Sequence, residues 1–125
     1  MTAPVQDPAR ILRKRFGAWI KQAREERNHT QASAAKVLDF GWPAMVSQIE
    51  RGASAVPSHD IRLWAEVLGI PPSEMAERWL YYIEPAIYHA LYGQDPYALE
   101  KIPRPQRTVN SAPGRPRARP SEKPE

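Results

Sequence analysis

Apolar residues recur every three or four positions along most of the chain, which is the spacing of helices packed through one face. The first such series is Ile11, Leu12, Phe16, Trp19, Ile20 and Ala23. Asp7 and Pro8 precede it and suit an N-cap followed by proline at the first helical position. The pattern predicts a first helix that begins at Pro8 and ends near Asn28.

Capping residues, prolines and glycines divide the following stretch into five further helices. The second is predicted from the cap Thr30 to about Leu38, and the third over residues 43–51. The fourth is expected to run from a Ser58 cap to a Gly69 stop. The fifth is expected to start at Pro71-Pro72, and the sixth to follow a break at Glu84-Pro85 and stop at Gly93. No strand pattern and no internal repeat is found, so the fold class is all-α.

The third helix has two chemically different faces. One is apolar through Val46 and Ile49, which must point toward the core and bring Glu50 beside it. An unpaired carboxylate there is costly. Arg24, on the core side of the first helix, is the best partner, and the two residues are predicted to form a buried bidentate pair. The other face consists of Ala44, Ser47, Gln48 and Arg51, with Met45 on its flank.

The outward face of the third helix is small and polar, with an amide at its centre. Such a face is a poor core and a weak protein-binding patch. It suits the edges of base pairs, because a glutamine amide pairs bidentately with adenine. The pattern therefore favours DNA contact by this helix, against the plainer interpretation that Gln48 is a solvated helix residue.

Charge changes this picture mainly at the C-terminus. Residues 1–102 carry 12 Lys+Arg and 12 Asp+Glu, whereas residues 103–125 carry 6 and 2, which accounts for the whole net charge of +4. The last 23 residues also contain six prolines and few large apolar side chains, so a disordered tail is expected. Within the preceding part, basic residues concentrate in 10–36 and acidic ones in 37–102, which suggests that one end faces a polyanion.

Several classes of protein are disfavoured by composition. The chain has no cysteine and its three histidines are dispersed, so we expect no metal site and no cofactor. No combination of catalytic groups stands out, and the consecutive residues Ser58, His59 and Asp60 cannot face one another on a helix. No apolar run is long enough to cross a membrane. A cytoplasmic protein that is not an enzyme is the expectation.

Several motifs resemble the XRE class of helix-turn-helix domains, which includes the lambdoid repressors and Cro. They are Thr30-Gln31, the pair Ala35 and Leu38, SerGlnIleGluArgGly at 47–52, Val56-Pro57 and IleArgLeuTrpAlaGluValLeuGlyIle at 61–70. The resemblance covers roughly residues 12–80. The turn between the second and third helices is one residue longer than usual, with Trp42 and Pro43 where small polar residues are common.

This resemblance implies a role for individual residues. The base-reading positions would be Ala44, Met45, Ser47 and Gln48, and the phosphate contacts Gln31, Trp42, Arg51, Ser54 and Lys36. Arg24 and Glu50 match the structural pair already inferred from the helix faces. Trp42 fits equally a plug under the turn, and Lys36 taken alone fits a solvated position.

The aromatic residues of the last two helices exceed what a four-helix core needs. They either close the domain or, as we prefer, form a homodimer interface, where tyrosine and tryptophan are enriched. The predicted interface residues are Trp79, Tyr82, Ile83, Tyr88, Leu91 and Tyr92. A two-fold dimer would present two recognition helices to an inverted repeat in double-stranded DNA.

The predicted architecture is a five-helix repressor-like domain extended by C-terminal helices. Its parts are a DNA-binding domain at 8–70, a helical dimerisation extension at 71–102 and an Arg/Pro-rich tail at 103–125. The predicted function is that of a phage or prokaryotic transcription regulator, most simply a repressor and by family habit an autoregulatory one. The alternative is an antitoxin or phage accessory protein that mainly binds a protein partner, with its tail taking part.

Overall fold

The computed structural model describes residues 7–39, 43–97, 102 and 104, and over these residues the fold is all-helical, as predicted. It contains six α-helices and one turn of 3-10 helix. The α-helices are α1 (Pro8–Glu26), α2 (Gln31–Val37), α3 (Ala44–Glu50), α4 (Ile61–Leu68), α5 (Pro72–Ile83) and α6 (Pro85–Tyr92). Observed boundaries lie within two residues of the predicted ones except at the start of α4.

Local side-chain bonds account for the first two helix starts. The Asp7 carboxylate accepts a hydrogen bond from the Ala9 N–H at 3.1 Å, with Pro8 as the first helical residue. Thr30 and Ser33 form a reciprocal capping box: the Ser33 N–H donates to the Thr30 hydroxyl at 3.0 Å, and the Thr30 N–H donates to the Ser33 hydroxyl at 2.9 Å. Both predicted caps are confirmed.

The prediction that Ser58 caps the fourth helix is wrong. Residues Ser58–Asp60 form a single 3-10 turn that follows Pro57, and the Asp60 N–H donates to the Pro57 carbonyl at 3.0 Å. α4 begins only at Ile61 and has no side-chain cap. The hydrogen bond of the 3-10 turn is made by the backbone just ahead of the helix, so this turn takes the place of the serine cap.

One hydrophobic core extends from α1 through α5. Trp64 of α4 is its largest fully buried side chain, packed with Phe16 and Ile20 of α1 and with Val46 of α3. Met75 of α5 is also fully buried in this cluster, so the core continues past residue 70. The inward side of α2, formed by Ala34, Ala35 and Leu38, is buried as well.

α6 packs against α5 and buries none of its own residues completely. Ile87, Leu91 and Tyr92 of this helix are 47%, 62% and 46% exposed. They are the large apolar side chains that the described part of the molecule leaves most open to solvent. α6 therefore presents an apolar face that the described residues leave uncovered.

Part of the segment after α6 lies on the folded body. Ile102 is buried and its N–H donates to the Tyr97 carbonyl at 2.9 Å, while Arg104 forms an ion pair with Asp95. Leu99, residues 40–42 and nearly all of the tail lie outside the described residues. Among the helices that are described, none has the length and apolar character needed to cross a bilayer.

Candidate nucleic-acid interface

α3 is held by its apolar face and leaves the opposite face outward. Val46 is completely buried and Ile49 is 3% exposed, and both belong to the core cluster. The helix packs against α1 and α2, so its orientation is determined by both neighbours. The predicted division of the third helix into a core face and an outward face is confirmed.

The predicted buried pair between Arg24 and Glu50 is present. Arg24 donates through Nε to Glu50 Oε2 at 2.5 Å and through Nη2 to Oε1 at 3.1 Å. The two side chains are 6% and 3% exposed. Hydrogen bonding to Glu50 raises the pKa of Arg24 above its ordinary value, outweighing the opposing effect of burial. The guanidinium therefore stays charged, and the bidentate pair joins α1 to the end of α3.

Two further residues complete this buried network. Arg24 Nη1 donates to the backbone carbonyl of His29 at 2.6 Å, which connects α1 to the loop before α2. Gln31, the first residue of α2, donates its side-chain amide to Glu50 Oε1 at 3.0 Å. Glu50 thus accepts bonds from α1 and α2 together, and one carboxylate orients all three helices relative to one another.

The family resemblance predicts phosphate binding by Gln31, and the structure shows a contact of its side chain within the fold. Its side-chain amide contacts Glu50, whereas its backbone N–H lies at the start of α2, where helix N–H groups lack intrahelical partners. Sequence reasoning missed the side-chain contact. Gln31 and Glu50 are 19 positions apart, and only the packing of α2 on α3 brings them together.

The predicted base-reading residues share the outward side of α3. Ala44 is exposed, while Met45, Ser47 and Gln48 are half-buried. The Gln48 side-chain oxygen accepts a long hydrogen bond from the Ser54 hydroxyl at 3.4 Å. The loop after α3 therefore folds back beside the central amide of this face.

The predicted phosphate contacts are distributed around this face. Arg51 is exposed at the end of α3 and donates to the Ser47 hydroxyl one turn earlier. Ser54 is half-buried in the following loop, and its N–H and that of Ala53 donate to the Gln48 carbonyl. Lys36 is exposed on α2. Trp42 lies outside the described residues.

Contacts near the end of α3 were not anticipated from the sequence. Arg13 of α1 donates through Nε to the Gly52 carbonyl at 2.8 Å. Gly17 allows α1 to approach, because a Cβ at that position would collide with the backbone carbonyls of Ile49 and Glu50. The available signal was Gly17 itself, since a glycine inside a helical pattern indicates close packing.

The residues predicted to form a dimer interface divide into two groups. Trp79, Tyr82 and Ile83 pack against the core of their own chain, so for these three the interpretation that they close the domain applies. The Trp79 indole N–H donates to the Val56 carbonyl at 2.7 Å, and Tyr82 stacks on Phe16 with ring centroids 5.0 Å apart. Their packing attaches α5 to the core formed by α1 to α4.

The second group lies on α6 and points away from the core. Leu91 and Tyr92 are exposed, and Tyr88 is half-buried with its ring edge-on to Tyr81 at 5.1 Å. Burial in this aromatic cluster raises the pKa of the Tyr81 phenol. These residues, together with Ile87, form the exposed apolar face described above.

The helix arrangement can be compared with known families. Residues 20–75 match the family model described as Helix-turn-helix, which spans the end of α1 through the start of α5. No curated protein and no solved structure gives a significant match. The family match covers α2 and α3 and therefore both the buried pair and the outward face. Residues 20–75 of this chain form an XRE-like helix-turn-helix domain, the domain of DNA-binding transcription regulators.

Proposed function

We propose that the protein is a sequence-specific repressor that inserts α3 into the major groove of an inverted-repeat operator. The observation that carries this proposal is the rigid attachment of α3. Glu50 is bonded to Arg24 and Gln31, while Ala44, Ser47 and Gln48 remain on the outward side. A reading helix needs such support, because base contacts require side chains held within a fraction of an ångström.

The backbone of the DNA is contacted by residues around the reading helix. Gln31 lies at the start of α2 and Lys36 further along it, while Arg51 and Ser54 follow the base-reading residues. Trp42 is proposed to contribute from the turn, and the Arg/Pro-rich tail to add contacts that do not depend on sequence. Such contacts position the protein and make its affinity fall as salt rises.

The protein acts as a homodimer in this proposal. α6 supports it, because Ile87, Leu91 and Tyr92 are 47%, 62% and 46% exposed on a helix that packs against α5. A second copy covers this apolar face by a two-fold axis and sets the spacing of two half-sites. Repression follows from occlusion of the promoter, and the regulated promoter is its own in the simplest case.

The same apolar face favours one other function. In an antitoxin or phage accessory protein, Leu91 and its neighbours on α6 would hold a different protein, and DNA binding would be secondary. An enzymatic role is not proposed, since helix-turn-helix domains of this family are typically non-enzymatic regulators. The two proposals differ in what covers α6, and therefore in what the purified protein does alone.

The test is selection of genomic DNA by the purified protein over a series of salt concentrations. Fragments from the source genome, including the region upstream of this gene, are incubated with the protein, and the retained fragments are sequenced. The expected result is a short inverted repeat retained at physiological salt, with half-sites about one helical turn apart. Uniform retention that disappears as salt rises would contradict sequence-specific repression and favour the partner-binding alternative.

A further inference from the structure

A basic cleft lies between the N-terminal half of α1 and the end of α3, outside the residues assigned above to DNA contact except for Arg51. It has a volume of about 750 Å³. Four basic side chains line it, those of Arg10, Arg13, Lys14 and Arg51. The turn after α3 contributes Gly52 and Ala53. Glu50 also borders the cleft, but Arg24 balances its charge.

Helix geometry brings the basic residues to one side of α1. Arg10, Arg13, Lys14 and Gly17 are spaced i, i+3, i+4 and i+7, so they share one face. Gly17 allows that face to meet the C-terminal carbonyls of α3. Gly52, at a φ of +78°, completes the approach, since a Cβ there would lie 2.6 Å from Lys14 Cγ. Two glycines therefore bring the basic face of α1 against the end of α3.

The end of α3 does not by itself require this many cations. Arg13 donates to the Gly52 carbonyl, and one cation there already complements the partial negative charge of a helix C-terminus. Arg10 and Lys14 are exposed and lie four residues apart on a helix, where like charges repel. An anion bound between the two helices would offset that repulsion.

We propose that this cleft binds a phosphate of the DNA backbone, beside the bases that α3 contacts. The inference rests on the proposed function. Arg51 connects the two sites, because it lines the cleft and also lies on the outward face with Gln48. With α3 in the major groove, its C-terminal end faces a sugar–phosphate strand, and the cations of α1 extend that contact.

The contact belongs to a part of the chain outside the family match. That match begins at residue 20, whereas Arg10, Arg13 and Lys14 lie six or more positions before it. The first turns of α1 therefore add a phosphate clamp to the helix-turn-helix domain. The ligand is a phosphodiester, so the clamp raises affinity for all DNA sequences alike and carries no base specificity.

Single charge removals test the clamp. Arg10→Gln and Lys14→Gln are compared with Arg62→Gln, an exposed arginine on α4 that does not line the cleft. Lys14→Gln keeps the Cγ that packs on Gly52, and Arg13 is left intact because it bonds to the backbone. Affinity for a short mixed-sequence DNA duplex is measured at several salt concentrations, and circular dichroism checks that each variant is folded.

The expected result is a smaller salt dependence for the two cleft variants. Each lost phosphate contact should reduce the slope of log K against log salt by about 0.9. Arg62→Gln should keep the wild-type slope, and Arg10→Lys, which preserves the charge, should keep it as well. Wild-type slopes in both Arg10→Gln and Lys14→Gln would overturn the clamp, as would an equal loss in Arg62→Gln.

Failure of the proposed function would look different. A wild-type protein that binds neither this duplex nor genomic fragments at low salt would contradict DNA regulation itself and remove the basis of the clamp. A wild-type protein that binds the duplex, together with cleft variants that bind identically, would contradict only the clamp. Loss of slope in Arg10→Lys would mean that Arg10 acts through the fold, and would overturn the clamp too.

Discussion

Glu50 is the residue that joins the fold to the proposed function. It accepts hydrogen bonds from Arg24 on α1 and Gln31 on α2 while lying at the end of α3, the proposed reading helix. A buried pair of this kind need not make the protein more stable than an apolar pair would. Its effect here is on the orientation of the three helices, because the bidentate geometry allows few relative positions of them.

Glu50→Ala is expected to lower the free energy of unfolding by about 3–5 kcal/mol, because it leaves the buried Arg24 without its carboxylate. Thermal and denaturant unfolding measure the change. The matched control is Glu25→Ala, since Glu25 lies 3.9 Å from the same guanidinium but its side chain is 57% exposed. That surface pair should contribute about 0–1 kcal/mol. Equal unfolding of the two variants would disprove a special role for Glu50.

Gln48→Ala is expected to lower DNA affinity and leave the stability of the fold nearly unchanged. Specific affinity for the operator should fall by about 1–3 kcal/mol, because the amide proposed to contact a base is lost. Unfolding should hardly change, since the Gln48 side chain makes a long hydrogen bond of 3.4 Å with Ser54 within the fold.

The control for Gln48 is Gln22→Ala on α1, whose side chain bonds only across the helix surface to Glu26. Operator binding is measured by titration at fixed salt for both variants. If Gln48→Ala binds the operator as tightly as Gln22→Ala, then Gln48 is not a reading residue.

Among the helices, the crossing of α1 and α3 is the contact that positions the candidate interface. Gly17 lies at this crossing, with the Ile49 and Glu50 carbonyls where its Cβ would stand. The adjacent Arg24–Glu50 pair and the Arg13 bond to Gly52 hold the same two helices. The proposed reading helix is therefore positioned mainly by α1, the longest of the described helices.

Gly17→Ala tests this crossing, because the sign of its effect on stability depends on how closely the two helices pack. Helix propensity alone would make alanine stabilising by about 1 kcal/mol. The clash with two backbone carbonyls should reverse this and cost about 1–3 kcal/mol, because α1 and α3 must separate. The melting temperature is the measurement, and an increase would show that the two helices are not closely packed at this point.

At the scale of the whole molecule, the described residues combine a core with a helix whose apolar face they leave uncovered. α5 is attached to the core by Met75 and by the Trp79 bond to Val56, whereas α6 packs mainly against α5. The apolar face of α6 therefore costs free energy in the isolated chain until a partner covers it. A second copy is the simplest partner, because it supplies an identical face.

Leu91→Asp should convert the proposed dimer to a monomer, because a charge at a 62% exposed apolar position cannot be buried against a second copy. Sedimentation equilibrium measures the molecular mass. Ala86→Asp is the control, since Ala86 is exposed on another side of α6. A wild-type protein that sediments as a monomer at micromolar concentration would contradict the homodimer and favour a different protein on this face.

The sequence by itself determined the local features of this protein. Helix boundaries followed from caps and glycines, which act over a few residues. The faces of α3 followed from the helical period, and they were enough to predict the Arg24–Glu50 pair, since a carboxylate beside a core needs a cation. Ser58 was misassigned because a 3-10 turn offers an alternative partner that the sequence pattern does not exclude.

Only the tertiary structure decided which side chains contact each other when they lie far apart in sequence. Trp79 and Tyr82 turned inward while Leu91 and Tyr92 stayed exposed, although all four looked equally suited to an interface. The Gln31 bond to Glu50 and the basic cleft of α1 depend on how helices far apart in sequence cross. Such crossings are decided by the packing of the whole core, which the periodicity of a single helix does not contain.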